Sequence, residues 1–171
     1  IMTERYEITT MLQRALANTP ELFGTLIDGT PEKPAVTKES VHHFFKYVSG
    51  NPIKRPVWYF DTTQQGEGIV DVSTHLVDLI QWGCFPNEII DYETDIEMHS
   101  ATRYPTLLTL AQFSKVTGAD AFPEFLRDNI RESDKQLEVY ANGEFVYQLK
   151  GKYAKVSVIW NFEAPEGIGD T

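Results

Sequence analysis

The strongest constraint on the fold lies near the end of the chain, where residues 137–149 and 153–162 alternate as strands do. Leu137 to Leu149 reads Leu-Glu-Val-Tyr-Ala-Asn-Gly-Glu-Phe-Val-Tyr-Gln-Leu, and Asn-Gly supplies the two positive φ angles of a type I′ hairpin turn. A turn at Asn142-Gly143 sets Val139 opposite Val146 on one face and Tyr140 opposite Phe145 on the other. From Tyr153 onward, Ala154, Val156, Val158, Trp160 and Phe162 fall on one side of a further strand. Apolar groups on both faces call for cover on both, by the chain's own helices on one and by another surface on the other. The expected fold class is α+β: a predominantly antiparallel sheet with helices packed on one face.

The rest of the chain fills in the helices. Residues 3–16 carry Ile8, Met11, Leu12 and Ala15 at helical spacing behind Thr3 as N-cap, and Gly29 to Pro34 reads as a loop. Val41, Phe44, Phe45 and Val48 form an i, i+3, i+4, i+7 stripe after Thr37, which predicts a second helix stopped by Gly50 and Pro52. On such a helix His42 and His43 diverge by about 100° and do not readily share a ligand. Val57 to Asp61 is aromatic and β-branched, a predicted strand. A helix is expected from Ile69 to Trp82, ended near Gly83 and Pro86, and a strand from Glu88 to Glu97. Thr109 and Gln112 make a capping-box pattern ahead of Phe113 and Val116, closed by Gly118, and residues 122–130 read as a short helix.

Composition excludes whole classes of function. With 15 basic against 25 acidic residues and a formal charge of -10, the chain lacks the positive field that nucleic acid or an anionic membrane requires. Its single cysteine, Cys84, rules out an internal disulfide and a cysteine-rich zinc site. No apolar run approaches the ~20 residues of a membrane span, and Ile1 to Tyr6 do not make a signal peptide. The 171 residues suit a single domain. Ile1 is an unusual start, and the turn-like stretch from Glu166 to Thr171 follows directly on a strand, so the chain reads as a domain excised from a longer protein whose compartment is left open.

Chemistry concentrates in the segment from Gly66 to Trp82, a glycine-bracketed turn opening into a helix with Asp71 and His75 four residues apart. Residues i and i+4 share a helix face, where they also form ordinary surface pairs. A carboxylate beside an imidazole suits proton transfer near neutral pH.

The pattern Gly-x-Gly-x-x-Asp-x-x-x-His-x-x-Asp, ending in an aromatic residue, resembles the signature in the second domain of the glucose-fructose oxidoreductase and inositol dehydrogenase (Gfo/Idh/MocA) family. The phrases Met2-Thr3-Glu4-Arg5-Tyr6 and Arg55-Pro56-Val57-Trp58-Tyr59-Phe60-Asp61 are similar to one branch of it. The resemblance implies a dihydrodipicolinate-reductase-like C-terminal domain whose open sheet face makes a homo-oligomer. It implies His75 and Asp71 as catalytic residues, Glu67 and Asp78 as substrate-binding residues, a sugar, polyol or related hydroxyl substrate, and NAD or NADP bound by the parent protein. Where the family commonly has three consecutive glycines before the helix, this chain has Glu67 between two.

Half of such an enzyme is missing from these residues. Gly66-Glu67-Gly68 lacks the third glycine of a dinucleotide fingerprint and the acidic residue about 20 positions on, so the N-terminal Rossmann domain is taken as absent and no cofactor is expected on this chain alone. Glu32-Lys33-Pro34 matches the family's catalytic-lysine tripeptide but follows no buried strand. Two other readings remain: a noncatalytic carbohydrate-binding or scaffold domain using Trp58, Tyr59 and Trp82, and a metal-dependent hydrolase with Asp71, His75 and Asp78 as ligands.

Overall fold

In this computed structural model, which describes residues 3–165, the chain runs α1 (Ile8–Ala17), α2 (Pro20–Phe23), β1 (Val36–Phe45), β2 (Tyr47–Val48), β3 (Asn51–Pro52), α3 (Thr62–Gln65) and α4 (Gly68–Cys84). It continues as β4 (Ile96–Leu108), α5 (Leu110–Thr117), β5 (Ile130–Arg131), β6 (Gln136–Leu149) and β7 (Lys152–Glu163), with short 3₁₀ turns between several of these. The main sheet has the order β1-β7-β6-β4, with β5 pairing β6, and β2 pairs β3 in a small hairpin of its own. The fold class is α+β, as expected, with a mixed sheet. Ala35 N–H donates to the Tyr153 carbonyl and Ala164 N–H to that of Phe45, so β1 and β7 run the same way.

The hairpin expected within residues 137–149 does not form: those residues make one strand, β6, which adjoins β7 through a turn at Lys150-Gly151. Lys150 has φ 49° and Gly151 φ 79°, the paired positive angles a type I′ turn requires, whereas Asn142 and Gly143 sit inside the unbroken strand β6. Val139 and Val146 therefore lie along one strand and do not face each other. The reason lies in the Asn142 side chain, which is buried. Its Nδ2 donates to Thr106 Oγ1 (2.8 Å) and the Tyr104 carbonyl (3.2 Å), and its Oδ1 accepts from Trp160 N–H (2.7 Å). An amide that stitches β6 to a strand on either side offsets more desolvation than the same amide in a solvated turn.

Three further expectations are corrected. Residues 37–48 form no helix: β1 is a strand whose last three residues, His43, Phe44 and Phe45, are all buried, and a strand covered on both faces loses the period-2 signal that would have identified it. Val57–Phe60 is a 3₁₀ turn, not a strand; Pro56 fixes its entry, and the Tyr59 N–H returns to the Pro56 carbonyl at 3.0 Å. The strand expected at 88–97 starts only at Ile96, because Asp91 and Asp95 bend the backbone before it. Asp91 accepts from Glu93 N–H and Asp95 from Asp91 N–H, both at 2.9 Å. The capping box at α5 forms as expected, and Gly118 ends that helix with φ 82°. The stretch 166–171 read as turn-like lies outside the described residues, as do residues 1 and 2.

The chain divides into two compact units, each drawn from three stretches. The first takes residues 3–39, 73–102 and 144–157, and its buried apolar groups include Leu76, Ile80, Phe85, Tyr147, Leu149 and Val156. The second takes residues 40–72, 103–143 and 158–165. Its core is an aromatic cluster in which Phe44 packs on Phe60 (5.9 Å between ring centres) and Trp160 (4.9 Å), and Phe113 on Phe60 (5.2 Å). Along β7, Ala154, Val156, Val158 and Trp160 are buried while the alternating residues are half-buried or exposed.

Candidate functional site

The glycine turn before α4 has two separate jobs. Gly66 caps α3 with φ 79°, a left-handed conformation that a side chain resists. Gly68 is needed for space: a Cβ there would stand 2.8 Å from the Ala141 Cβ of β6 and 3.3 Å from its Cα. The first turn of α4 thus rests directly on the sheet. Both glycines are accounted for by turn and packing, so the residues here do not fit a dinucleotide pyrophosphate, and no step is assigned to such a group on this chain.

On the second unit, the helix start presents Glu67 and Asp71. Asp71 lies in the first turn of α4, where the helix dipole favours a negative charge, and Tyr59 donates its hydroxyl proton to Asp71 Oδ2 at 3.1 Å. Tyr59 is held in turn by Arg55, whose guanidinium sits 4.5 Å from its ring centre and 5.1 Å from that of Trp160. Arg55 also donates to the Phe44 and His43 carbonyls, each at 3.2 Å. Glu67 is ion-paired with Arg103, which covers the Tyr140 ring at 4.8 Å. Tyr59, which the sequence offers as strand core or sugar platform, is instead the partner of Asp71, a role that depends on the 3₁₀ turn that aims it.

On the first unit, the same helix presents His75 and Asp78, and both are met by the N-terminal segment. His75 Nδ1 lies 2.8 Å from Glu4 Oε1. Although partial burial opposes its ionisation, hydrogen bonds from the Glu4 backbone and from His75 hold the Glu4 carboxyl below the usual carboxylate range. Near neutral pH Glu4 is therefore an acceptor only. Nδ1 must carry the proton in this contact, which leaves Nε2 of the neutral imidazole as the basic nitrogen. The His75 side chain remains 40% exposed. Asp78 is clasped by Arg5, with Nε donating to Oδ2 at 2.7 Å and a second nitrogen ion-paired to Oδ1.

These pairings weigh against the hydrolase reading. Asp78 is engaged by a guanidinium and Nδ1 of His75 by a carboxylate, and among the described residues no group of three or more His, Cys, Asp or Glu could hold a metal ion. Burial pushes the Cys84 thiol up, away from thiolate chemistry. Lys33 sits in a tight surface turn closed by its reciprocal backbone hydrogen bonds with Thr30, at 3.0 and 3.2 Å. Of the aromatics considered as sugar platforms, Trp82 is stacked by the Arg14 guanidinium at 4.5 Å, and Trp58 is exposed. Among the described residues no helix is long and apolar enough to cross a membrane.

Comparison with known proteins agrees with this architecture. The family described as "Putative oxidoreductase C terminal domain" matches residues 12–171. A solved "putative oxidoreductase" from Parabacteroides merdae is similar over the whole of this chain, with a TM-score of 0.94 and 57% identity, and the match spans 38% of that protein's chain. No curated protein matches.

Proposed function

The chain belongs to the family of oxidoreductase C-terminal domains, and from that premise we propose that it is the substrate-binding and catalytic half of an NAD- or NADP-dependent enzyme acting on a sugar, polyol or related hydroxyl compound. The observation that carries this reading is the His75–Glu4 hydrogen bond of 2.8 Å. An ionised carboxylate fixes the tautomer and ring orientation, so Nε2 of this 40% exposed side chain is set to take the hydroxyl proton of an alcohol as it is oxidised, or to return it in the reverse direction. Asp71, on the same helix and oriented by Tyr59, would accept a hydrogen bond from a substrate hydroxyl. Glu67 would bind substrate beside its ion pair with Arg103, and Asp78, both of whose oxygens Arg5 engages, through the lone pairs those oxygens retain. The dinucleotide is assigned to polypeptide outside these residues, in keeping with the resemblance to the Gfo/Idh/MocA family and with glycines that are already spent on packing.

The test is steady-state kinetics on the longer protein, its substrate first found by screening sugars and polyols with both nicotinamide cofactors. His75→Ala should lower turnover by ~100-fold or more, the usual contribution of general acid-base catalysis. Glu4→Gln should lower it less and alter its pH profile, because the neutral amide can present Nδ1 with either a donor or an acceptor. Near-normal turnover in the His75 variant would remove the proton-transfer role and with it this reading of the site.

A further inference from the structure

The face of α4 that carries His75 and Asp78 runs on to Trp82, and there the first unit opens a second concavity. Trp82 stands seven residues beyond His75, about two helical turns and about 10 Å of rise. It forms one wall of a cavity of about 490 Å³, within the ~300–1,000 Å³ of small-molecule sites. Arg5, Arg14, Gln81, Asn87 and Glu88 supply its polar lining. Two of the charges there are already balanced, because Arg5 clasps Asp78 and the Glu88 carboxylate lies 3.1 Å from Lys150 Nζ. Arg14 is the exception. Its Nε donates to the Trp82 carbonyl at 2.9 Å and its guanidinium stacks on the Trp82 ring at 4.5 Å, yet among the described residues no carboxylate pairs with it. The side-chain amides of Gln81 and Asn87 likewise meet no hydrogen-bond partner among the described residues.

The donor set selects the ligand. A guanidinium held through Nε and by ring stacking still presents its two terminal nitrogens as a planar fork, the shape that matches a carboxylate. Because the Trp82 ring and carbonyl fix that fork before any ligand arrives, little side-chain freedom is lost on binding. A carboxamide both donates and accepts, as an alcohol hydroxyl requires of its partner. Gln81 and Asn87 therefore suit hydroxyl groups, and the Glu88 carboxylate disfavours a second negative charge on the ligand. We propose that this cavity binds a small polyhydroxy monocarboxylate, of the size of a six-carbon sugar acid, with its carboxylate on the terminal nitrogens of Arg14 and its hydroxyls on Gln81 and Asn87. The assignment is independent of the chemistry given to His75.

The test is titration calorimetry on the natural full-length protein with no nicotinamide present. D-gluconate is the probe, with D-sorbitol as its uncharged counterpart, propionate as a carboxylate without hydroxyls, and inorganic phosphate as a different oxyanion. Gluconate should bind saturably, and each of the other three about tenfold or more weakly. Arg14→Gln should weaken gluconate by about tenfold or more, and Arg14→Lys should recover only part of that, since it restores the charge without the fork. Asn87 has a φ of 65°, which glycine adopts freely. Asn87→Gly should therefore weaken gluconate with the fold intact and leave propionate unchanged, which separates a lost contact from a misfolded site. His75→Ala should leave gluconate affinity within about twofold. Absence of saturable gluconate binding would overturn the proposal, as would parental affinity in both the Arg14→Gln and Asn87→Gly variants. Loss of binding in the His75 variant would place the acid at the proton-transfer site and overturn it too, and phosphate binding as tight as gluconate would overturn the hydroxy-acid class.

Discussion

Helices α1 and α4 carry the same kind of sequence signal and meet opposite fates. Both show an amphipathic period, and α4 turns its apolar face inward, with Val72, Leu76 and Ile80 buried, while α1 leaves its apolar face to solvent and is tied on by hydrogen bonds and by the stacking of Arg14 on Trp82. Periodicity reports that a helix has a face to cover; it does not report what covers it. The first turn of α4 is fixed by a backbone approach that only glycine permits at Gly68. Among the described residues no such close approach positions α1, whose place depends on a few charged and polar contacts at the edge of water. One helix is held chiefly by packing and the other chiefly by electrostatics, and they should respond differently to every perturbation.

The largest contrast is expected from shortening one apolar residue on each helix. Ile80 is 1% exposed, and Ile80→Ala should cost about 2–5 kcal/mol through lost burial and a residual cavity. Leu12→Ala, on a surface residue, should stay within about 0.5 kcal/mol of the parent. Urea unfolding of this chain measures both, with the midpoint shifting and the slope unchanged. Equal losses would mean that α1 is packed in solution and would break the comparison outright.

A smaller contrast is expected between two asparagine amides. Asn142 is buried and bonded to β4 and β7 residues, whereas Asn18 is exposed and joins the Arg14 and Gly83 carbonyls at 2.8 and 2.7 Å. Asn142→Ala strands the Trp160 N–H in the interior and should cost about 1–3 kcal/mol. Asn18→Ala returns its partners to water and should cost a few tenths, since solvent replaces what is lost. If the two variants unfold at the same urea concentration, burial is not what separates these bonds.

Much of the architecture was legible, and the failures share a cause. The α4 helix, the capping box at Thr109 and Gln112, the burial alternation of β7 and the α+β class all follow from local periodicity or local hydrogen bonding, which a short window of sequence contains. Asn142-Gly143 misled because a turn-forming dipeptide was recruited into a strand by partners 18 to 38 residues away, and no local rule sees those. Residues 43–45 misled because burial on both faces mimics a helical stripe. At the site, Asp71, His75, Glu67 and Asp78 could be named from spacing and resemblance. Their partners Tyr59, Glu4, Arg103 and Arg5 could not be assigned, since each pairing is made by tertiary packing. The meeting of Glu4 and Arg5 with His75 and Asp78 depends on a chain reversal that about 70 intervening residues create, which no local pattern contains.

The finest test of the comparison is acid, because it acts on the contacts of the N-terminal segment while sparing apolar packing. Glu4 has its carboxyl held below the ordinary range in the folded state. For a depressed carboxylate, the stabilisation is fully present above the unfolded value of about 4.3 and is lost as the pH falls through the folded value. Asp61 follows the same sign: hydrogen bonds from the Thr63 hydroxyl, the Gln64 amide and the Thr63 backbone hold it low, but its contribution belongs to the cap of α3. Lowering the pH from 6 toward 3 should therefore raise hydrogen exchange in residues 8–17, once corrected for intrinsic rate, before β7 loses protection. Glu4→Gln should make exchange in that segment fast already at pH 6 and remove most of its further rise with acid. High salt should add to the effect by screening Arg5 from Asp78. Uniform loss of protection across α1 and β7 would show that the two modes of attachment unfold as one cooperative unit, and the contrast between the helices would then hold for the native contacts but not for their stability.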